Sequence, residues 1–232
     1  MYSILRLLSK SKNGLKICHI NAQSLVNKID EFRHIFEKSG IHVICVSETW
    51  FRPDMSSNLF NVEGYKILRA DRVGHAGGVA IYIKSDLQFK IINRSPNDNE
   101  IEYLFLELSS DDSKLLLGSV YRPNRNVDIS TFIEYLEELS LMYNNIVLAG
   151  DFNSDLFRES YLSSEMSTLG LYSCNCSVPT HFLKKCNTLL DLFFVNDLSK
   201  CRLYDQLSCP VFFKRVTYNF RLDSIPDKET YY

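Results

Sequence analysis

An acid and an amide stand two residues apart at the point where an apolar segment ends. Residues 146–150 are followed by Asp151, and Asn153 comes two positions later. At the end of a β-strand, residues i and i+2 face the same side, so the carboxylate and the carboxamide converge on one point. Such a pair suits an activated water molecule and a phosphate oxygen. By itself this signal is only moderately specific.

Four further polar residues follow or interrupt apolar, strand-like segments: Asn21, Glu48, Tyr121 and Asp191. The first three have ordinary structural explanations, as a turn residue or helix cap, a solvated strand end and a half-buried aromatic, respectively. Asp191 is harder to explain in this way, because it has apolar neighbours on both sides and a buried acid is costly unless it is paired or functional. Their shared position at strand ends indicates one common site.

The hydrophobic pattern predicts the elements that position these residues. Strands are predicted over residues 16–21, 41–47, 79–83, 101–108, 115–121, 146–150, 189–195 and 211–220, with a turn at 111–113. Amphipathic helices are predicted over residues 24–38 and 131–143, with Asp128 or Ser130 as the cap of the second. Strands that arrive both singly and in hairpins, with few helices between them, indicate an α/β or α+β sandwich built on mixed sheets.

Length and charge limit the possible classes of protein. A chain of 232 residues with 45% hydrophobic content favours one large domain. A net charge of −2 argues mildly against a non-specific nucleic-acid binder, which is usually basic. It does not exclude nucleic acid, because a bound divalent cation supplies positive charge at a site lined by carboxylates.

Cysteine usage and hydropathy give the expected location. Seven scattered cysteines favour reduced thiols in an intracellular protein over a disulfide framework. A zinc site at Cys174, Cys176 and Cys186 is disfavoured, because no second pair stands at a ligand spacing. No segment approaches the roughly 20 apolar residues of a membrane helix, and residues 1–8 lack a signal-peptide cleavage site.

Taken in chain order, the motifs resemble those of a known superfamily. They are Asn21, Ser47-Glu48-Thr49-Trp50, Gly77-Gly78-Val79-Ala80, Tyr121-Arg122-Pro123, Gly150-Asp151-Phe152-Asn153 and Leu190-Asp191. This order resembles the endonuclease–exonuclease–phosphatase superfamily, and within it the endonuclease domain of jockey-like non-LTR retrotransposons, which is similar to apurinic/apyrimidinic endonucleases and DNase I. Thr180 also fits the retrotransposon form.

The resemblance covers residues 15–220 and leaves an N-terminal extension, 1–14, and a C-terminal tail or truncated linker, 221–232. It implies a four-layered α/β sandwich, in which two mixed β-sheets pack face to face with helices outside.

The resemblance also implies a role for each matching residue. The implied catalytic set is Asp151, Asn153, Tyr121, Asp191 and Thr180, and the implied ligands of Mg²⁺, or alternatively Mn²⁺, are Glu48 and Asn21. Asp151 would orient or deprotonate the attacking water, Asn153 would hold the scissile phosphate, and Tyr121 would donate a hydrogen bond to it. Asp191 would brace a histidine that stabilises the developing charge, and whether that histidine or Asp151 is the base is left open. Oxygen ligands suit a hard cation, and phosphate hydrolysis needs charge neutralisation and an oriented nucleophile.

The chain departs from the family at its last strand, where Ser-Asp-His is expected. Aligning Ser208 places Cys209 and Pro210 at the positions of the acid and the histidine, and a second register places Arg215 at the histidine position. All histidines of the chain precede Asp191: His19, His34, His42, His75 and His181. Proton transfer by a positioned side chain is typically worth about 10²–10⁴-fold. Asp191 is then expected to be an isolated acid with either a raised pKa or local disorder, and Arg215 can bind phosphate but cannot shuttle a proton.

Two functions from different classes follow. The first is a Mg²⁺-dependent endonuclease domain that nicks duplex DNA and leaves a 3′-hydroxyl for a downstream reverse transcriptase. The second is a decayed, catalytically inactive copy that binds nucleic acid weakly. A phosphoinositide or RNA substrate is disfavoured by the Ser-Glu-Thr-Trp and Tyr-Arg-Pro contexts.

The expected partners of an active domain are duplex DNA, the reverse transcriptase domain and the element RNA, and its expected location is the nucleus. No membrane partner is expected. Candidate phosphate contacts are Arg69, Arg72, Arg122 and Arg125, although solvated loop charges are the default explanation for such residues. Target-site preference and oligomeric state are left open.

Overall fold

The computed structural model describes residues 14–74, 76–96, 100–109, 113–174, 179–182, 187–208 and 214–220. The strands are β1 (Leu15–Asn21), β2 (Val43–Ser47), β3 (Tyr65–Ala70), β4 (Val79–Lys84), β5 (Phe89–Arg94), β6 (Glu102–Ser109), β7 (Lys114–Tyr121), β8 (Ile146–Asp151), β9 (Tyr172–Ser173), β10 (His181–Phe182), β11 (Asn187–Thr188), β12 (Asp191–Val195), β13 (Cys201–Ser208) and β14 (Lys214–Phe220). The helices are α1 (Ile29–Phe36), α2 (Ser130–Ser140) and α3 (Tyr161–Thr168), with short 3₁₀ turns at Ser57–Phe60 and Leu198–Lys200.

Twelve of these strands form two mixed sheets of six. The first sheet has the order β13-β14-β1-β2-β4-β3, and the second has the order β5-β6-β7-β8-β12-β9. Each sheet contains one parallel pair, β1 with β2 and β7 with β8, and its other pairs are antiparallel. Strands β10 and β11 form a separate antiparallel pair.

The apolar residues of the central strands are divided between three layers of core. Alternate residues of β1 show the division: Ile17 packs between the two sheets, whereas Cys18 and Ile20 pack outward beneath α1. The outer face of the second sheet packs against α2 and α3 through residues such as Phe132 and Met166. Strands buried on both faces need apolar residues throughout, which explains their nearly continuous hydrophobicity. The result is the expected four-layered α/β sandwich.

Helix α1 is shorter than the sequence pattern predicts. The predicted helix covers residues 24–38, but α1 covers Ile29–Phe36. Gln23 and Ser24 have positive φ angles of 43° and 75°, which a right-handed helix excludes. The backbone N–H of Ser24 donates instead to the carbonyl of Glu48 at 2.9 Å, so tertiary hydrogen bonds replace the first helical turn.

The other predicted elements agree with the structure to within a few residues, where they can be compared. Helix α2 begins at Ser130 and ends three residues before the predicted end, and the backbone N–H and hydroxyl of Ser130 both donate to Asp128. Residues 1–13, 111–112, 176, 186, 209–213 and 221–232 lie outside the described part, so the predictions that depend on them stay predictions. Within the part described, no helix is long and apolar enough to cross a membrane.

Candidate active site

The candidate residues meet at one edge of the sandwich. In the first sheet, Asn21 ends β1 and lies opposite Ser47, the last residue of β2. In the second sheet, Asp151 ends β8 and lies between Tyr121 of β7 and Asp191 of β12. Because β1 with β2 and β7 with β8 are parallel pairs, their carboxyl ends fall at the same edge, as the strand-end argument requires.

The side chain of Asn21 joins the two sheets at this edge. Its amide nitrogen donates to Oε1 of Glu48 at 2.8 Å and to Oδ2 of Asp151 at 2.7 Å. Its amide oxygen accepts the backbone N–H of Gln23 at 3.1 Å. Asn21 and Asp151 are buried, whereas Glu48 is half-buried. One N–H₂ group therefore holds two carboxylates from different sheets close together.

The backbone around Glu48 is held in an unusual conformation. Glu48 and Trp50 have φ angles of 52° and 57°, a left-handed region that costs non-glycine residues of order 1–3 kcal/mol each. The N–H groups of Thr49 and Trp50 donate to the carbonyls of Gly78 and Gly77 at 3.1 and 2.9 Å. This pairing turns the chain at the end of β2 and directs Glu48 towards Asp151.

Glu102, which the sequence reasoning did not identify, supports the glycine pair. It is buried at the start of β6, and its carboxylate accepts from the backbone N–H of Gly78 and from Arg72 at 3.3 Å. A Cβ at Gly77 would collide with this carboxylate and with Arg72, and both glycines have positive φ. The signal available in the sequence was an acid inside an apolar strand. Glu102 thus acts on Glu48 indirectly, through the glycine pair.

Asp151 also shapes the turn that follows it. Its Oδ1 accepts the backbone N–H of Asn153 at 3.0 Å, so one carboxylate oxygen fixes this turn while the other faces Asn21. Asn153 has a φ of 47°, and its amide nitrogen donates to the carbonyl of Arg122 at 2.7 Å. The predicted phosphate-binding amide therefore lies beside Asp151, and its N–H₂ group is engaged with the neighbouring loop.

The surroundings of Tyr121 favour its neutral, hydrogen-bond-donating phenol. It is buried beside Asp151, and burial raises the pKa of its phenol well above the usual range. The nearby carboxylates of Glu48, Asp151 and Glu102 raise that pKa further, because a phenolate would be repelled by them. A phenol is protonated at neutral pH even without this shift, so its hydroxyl group is a hydrogen-bond donor there.

Thr180 supports Asp191 through the backbone. Its hydroxyl oxygen accepts the N–H groups of both Leu190 and Asp191 at 3.1 Å, while Asp155 accepts the N–H of Leu189 at 3.0 Å. Thr180 itself is buried. In the structure, this member of the predicted catalytic set fixes the start of β12 through these backbone hydrogen bonds.

Asp191 is not the isolated acid that the sequence predicts. Its Oδ1 lies 3.4 Å from Nδ1 of His19, and the two side chains are 3% and 0% exposed. The other ring nitrogen of His19, Nε2, lies 3.1 Å from the hydroxyl of Ser47. Burial lowers the pKa of His19 to about 3, so the imidazole is neutral. Sequence reasoning missed this contact, although His19 stands two residues before Asn21 and so faces the same side of β1.

Two of the four candidate arginines do not fit the expected contact with phosphate. The guanidinium of Arg122 is buried and donates to the carbonyls of Arg125 and Val127. Arg69 is 9% exposed, pairs with Asp71 at 2.6 Å, and its guanidinium lies over the rings of two phenylalanines. Both guanidinium groups are held by contacts within the protein, so the predicted phosphate contacts of Arg122 and Arg69 do not agree with the structure.

The remaining two arginines are placed differently. Arg72 is 19% exposed and pairs with Glu102, close enough to Tyr121 to lower its pKa slightly against the effect of the carboxylates. Arg125 is exposed. Positive charge near the site is therefore offered by these two residues.

The strand that would carry the family histidine borders β1. Strand β14 pairs antiparallel with β1, and its first residue, Lys214, lies opposite Asn21. The amino end of β14 thus reaches the same edge as the candidate site. Cys209 and Pro210 lie outside the described residues, and the placement of the Arg215 backbone opposite Ile20 does not decide between the two alignments.

The chain resembles known proteins in sequence and in fold. Residues 17–210 match the model of the Endonuclease/Exonuclease/phosphatase family. No curated protein sequence matches the chain.

Among solved structures, the endonuclease domain of TRAS1, a telomere-specific non-LTR retrotransposon, superposes with a TM-score of 0.65 at 18% identity, covering 91% of this chain and 100% of that one. The apurinic/apyrimidinic endonuclease LMAP from Leishmania major gives a TM-score of 0.72 at 14% identity, covering 90% and 88%. The 3′ phosphatase NExo from Neisseria, bound to a product DNA hairpin, gives a TM-score of 0.61 at 14% identity, covering 90% of this chain and 100% of that one. At these identities the likeness shows a shared fold.

Proposed function

Because the chain belongs to the Endonuclease/Exonuclease/phosphatase family, we propose that it is a divalent-metal-dependent DNA endonuclease domain of the non-LTR retrotransposon kind. It hydrolyses one phosphodiester bond of duplex DNA and leaves a 3′-hydroxyl from which a reverse transcriptase can extend. The observation that carries this proposal is the convergence of Glu48 and Asp151 on the single amide of Asn21.

The donor set fits a hard cation. Two carboxylate oxygens lie within hydrogen-bond distance of one nitrogen, and Mg²⁺ is usually bound through one or two carboxylates plus waters and substrate phosphate. Within the described residues, no group of three or more acidic, histidine or cysteine side chains is placed to hold a metal. Of these residues, Glu48 would hold Mg²⁺ or Mn²⁺, Asn21 would join it if its amide turned its oxygen inward, and Asp151 would face a water molecule beside the cation. Bound there, the cation would supply charge neutralisation at the phosphate.

The chain's own residues provide the remaining chemistry. Asp151 accepts a proton from the attacking water, whose oxygen forms a bond to phosphorus as the bond from phosphorus to the 3′ oxygen breaks. The 3′ oxygen leaves with the electron pair of that bond and takes a proton from solvent to become the 3′-hydroxyl. Tyr121 donates a hydrogen bond to a non-bridging phosphate oxygen, and its raised pKa keeps the phenol protonated. Asn153 lies beside Asp151 and would bind the same phosphate group once its N–H₂ group turned away from the carbonyl of Arg122.

The surface beside Glu48 suits nucleic acid. Trp50 is 42% exposed, although its large ring would ordinarily be covered, and Arg125 is exposed on the loop after β7. Bases and sugars stack on exposed aromatic rings, and arginines neutralise phosphates. As further proposals, the domain acts in the nucleus together with a reverse transcriptase domain and the element RNA.

A second candidate function is favoured by a specific observation. No histidine follows Asp191 in the sequence, so the residue expected to stabilise the developing charge is missing. On this reading the chain is an inactive relative that retains the fold and binds DNA. The expected deficit in turnover from this loss alone is about 10²–10⁴-fold.

Nicking of supercoiled plasmid in Mg²⁺ and in EDTA separates the two functions. We expect Mg²⁺-dependent nicking by the unaltered chain, loss of it in Asp151→Asn, and no change in Asp86→Asn, an exposed acid in the turn after β4. A third variant carries Asp-His inserted after Ser208.

Nicking by the inserted variant alone would establish the inactive relative. If neither the unaltered chain nor the inserted variant nicks under conditions in which both are folded, the endonuclease proposal is wrong.

A further inference from the structure

His19, Ser47 and Asp191 form a line of polar side chains directly beneath the candidate site. They come from β1, β2 and β12, so the line crosses from the first sheet to the second. Below it the space between the sheets is filled by apolar side chains such as Ile17, Val43 and Phe193. Above it lie Asn21 and Asp151. The three residues thus form the floor on which the metal-binding residues rest.

The order of atoms in this line is that of a serine–histidine–acid triad. The hydroxyl of Ser47 lies 3.1 Å from Nε2 of His19, and Nδ1 of the same ring lies 3.4 Å from Oδ1 of Asp191. A nucleophilic serine must be reached by its substrate, yet Ser47 and His19 are both 0% exposed. Burial therefore excludes covalent catalysis by Ser47 and leaves a structural role for the line.

The contacts select one tautomer of His19. Nδ1 has no hydrogen-bond partner within the described residues, and its closest polar neighbour in the line is a carboxylate oxygen of Asp191, at 3.4 Å. A lone pair at Nδ1 would be repelled by that oxygen, whereas an N–H is attracted to it. With the proton on Nδ1, the lone pair of Nε2 faces the hydroxyl of Ser47, which can donate to it. Each group then has a complementary partner.

We propose that His19 is a positioning residue for the candidate site: as the Nδ1–H tautomer it donates to Asp191, accepts the hydroxyl proton of Ser47, and so ties the two sheets together beneath the metal-binding residues. Ser47 precedes Glu48, His19 stands two residues before Asn21, and Asp191 lies opposite Asp151. A shift of the imidazole ring of His19 is therefore transmitted to the strand ends that carry Asn21, Glu48 and Asp151. In this chain a histidine from inside the sandwich holds the acid that the family would pair with a histidine on the last strand. The tautomer does not depend on the proposed function, whereas the effect on metal binding rests on it.

The first test measures the ring nitrogens of the unaltered chain by ¹⁵N NMR, with His19 assigned by the loss of its signals in His19→Asn. We expect a protonated Nδ1 and an unprotonated Nε2. A proton on Nε2, or an exchanging mixture of the two tautomers, would overturn the proposal. Since this readout needs neither metal nor activity, it stands whether or not the chain is a nuclease.

The second test separates the two halves of the ring. Asparagine can place an amide N–H near the position of Nδ1, and glutamine can place a polar group near Nε2. We expect His19→Asn to bind Mn²⁺ with nearly the affinity of the unaltered chain, because it keeps the donor to Asp191. His19→Gln should bind Mn²⁺ about 10–100-fold more weakly, the usual effect of removing a residue that supports a ligand.

Tyr82→Phe is the matched control for stability. The hydroxyl of Tyr82 is buried in the core beneath α1, on the other side of the first sheet, and donates to the carbonyl of Phe60 at 3.0 Å. We expect this variant to lose stability and to keep its affinity for Mn²⁺. If affinity falls in proportion to stability across all three variants, or equally in His19→Asn and His19→Gln, His19 is an ordinary core residue and the proposal fails. If the unaltered chain binds no Mn²⁺, the metal-dependent function fails and the tautomer alone decides the proposal.

Discussion

Replacing Glu102 by glutamine tests whether the glycine pair holds Glu48 in place. The buried carboxylate accepts from the backbone N–H of Gly78 and from the guanidinium of Arg72. A glutamine of the same shape has one acceptor oxygen and one N–H₂ group. Whichever way the amide turns, a donor faces a donor, so one of the two contacts must be lost.

The lost contact sets the expected loss of stability in Glu102→Gln. A hydrogen bond to a charged group contributes about 1.5–3 kcal/mol, and for a domain of this size each kcal/mol lowers Tm by about 2–4 °C. We therefore expect Glu102→Gln to unfold about 3–12 °C below the unaltered chain. Because Gly77 and Gly78 hold the backbone that follows Glu48, we also expect affinity for Mn²⁺ to fall by about 10–100-fold.

Thermal unfolding followed by circular dichroism, together with a calorimetric Mn²⁺ titration, measures both quantities. Glu134→Gln, an exposed substitution on α2, is the control and should change neither. The reasoning is refuted if Glu102→Gln unfolds at the same temperature as the control and binds Mn²⁺ equally well. A loss of stability without any loss of affinity would show that the glycine pair does not position Glu48.

Four further outcomes are expected. Gly78→Ala should destabilise the fold by about 1–3 kcal/mol in urea unfolding, because its Cβ would lie 2.6 Å from the hydroxyl of Thr49 at a φ of +84°. Arg122→Lys should lower the free energy of unfolding by about 1–2 kcal/mol, because one ammonium cannot replace the guanidinium that bridges two loop carbonyls. The salt dependence of DNA binding should stay unchanged in this variant because the guanidinium is buried. Trp50 is the sole tryptophan, so duplex DNA should change its fluorescence, and an unchanged spectrum at saturating DNA would place the DNA elsewhere. Burial raises the pKa of Tyr82, so its phenol stays neutral in the folded state but ionises near pH 10 in the unfolded state. The free energy of unfolding should therefore be unaffected by this group below about pH 10 and should fall above it. In Tyr82→Phe this fall should be less steep.

Eight of the twelve strands of the two sheets were predicted, and most of these are buried on both faces. Strands β3, β5, β9 and β13 were not predicted, and β3 and β5 are partly exposed whereas β9 has only two residues. Strand β1 begins one residue before the predicted start and ends at the predicted residue, Asn21. The strand-end argument also predicted that Glu48, Asn21 and Asp151 would lie together, and the structure brings them together. Local sequence carries this information, because the end of a buried strand is where an apolar run meets a polar residue.

Three kinds of feature could not be predicted in this way. The start of α1 depends on hydrogen bonds to the chain after β2, which lies more than 20 residues away. Helix α3 is short and only weakly amphipathic, so its pattern was not recognised. The contact between His19 and Asp191 joins residues from different sheets, and nothing in either local sequence specifies the other partner.

For Arg122 and Arg69, the local sequence pattern indicated a surface role that the tertiary structure excludes. Arg122 follows a strand end and looks like a loop charge, yet its guanidinium lies inside the loop and binds its carbonyls. Arg69 packs its guanidinium against aromatic rings. Burial of a long cationic side chain depends on partners that only the folded chain supplies.

The position of β1 between β2 and β14 has a consequence for when the site can exist. All strands of the second sheet come from one continuous stretch, from β5 to β12, whereas the first sheet joins strands from both ends of the domain. On a ribosome that adds about 5–20 residues per second, the partner on one side of β1 would follow its own synthesis by roughly 10–40 s. During this interval the strand that ends in Asn21 has an open edge, which invites pairing with other chains. The sheet that carries Asn21 is therefore complete only after β14 has been made, so the order of synthesis itself delays the completion of the candidate site.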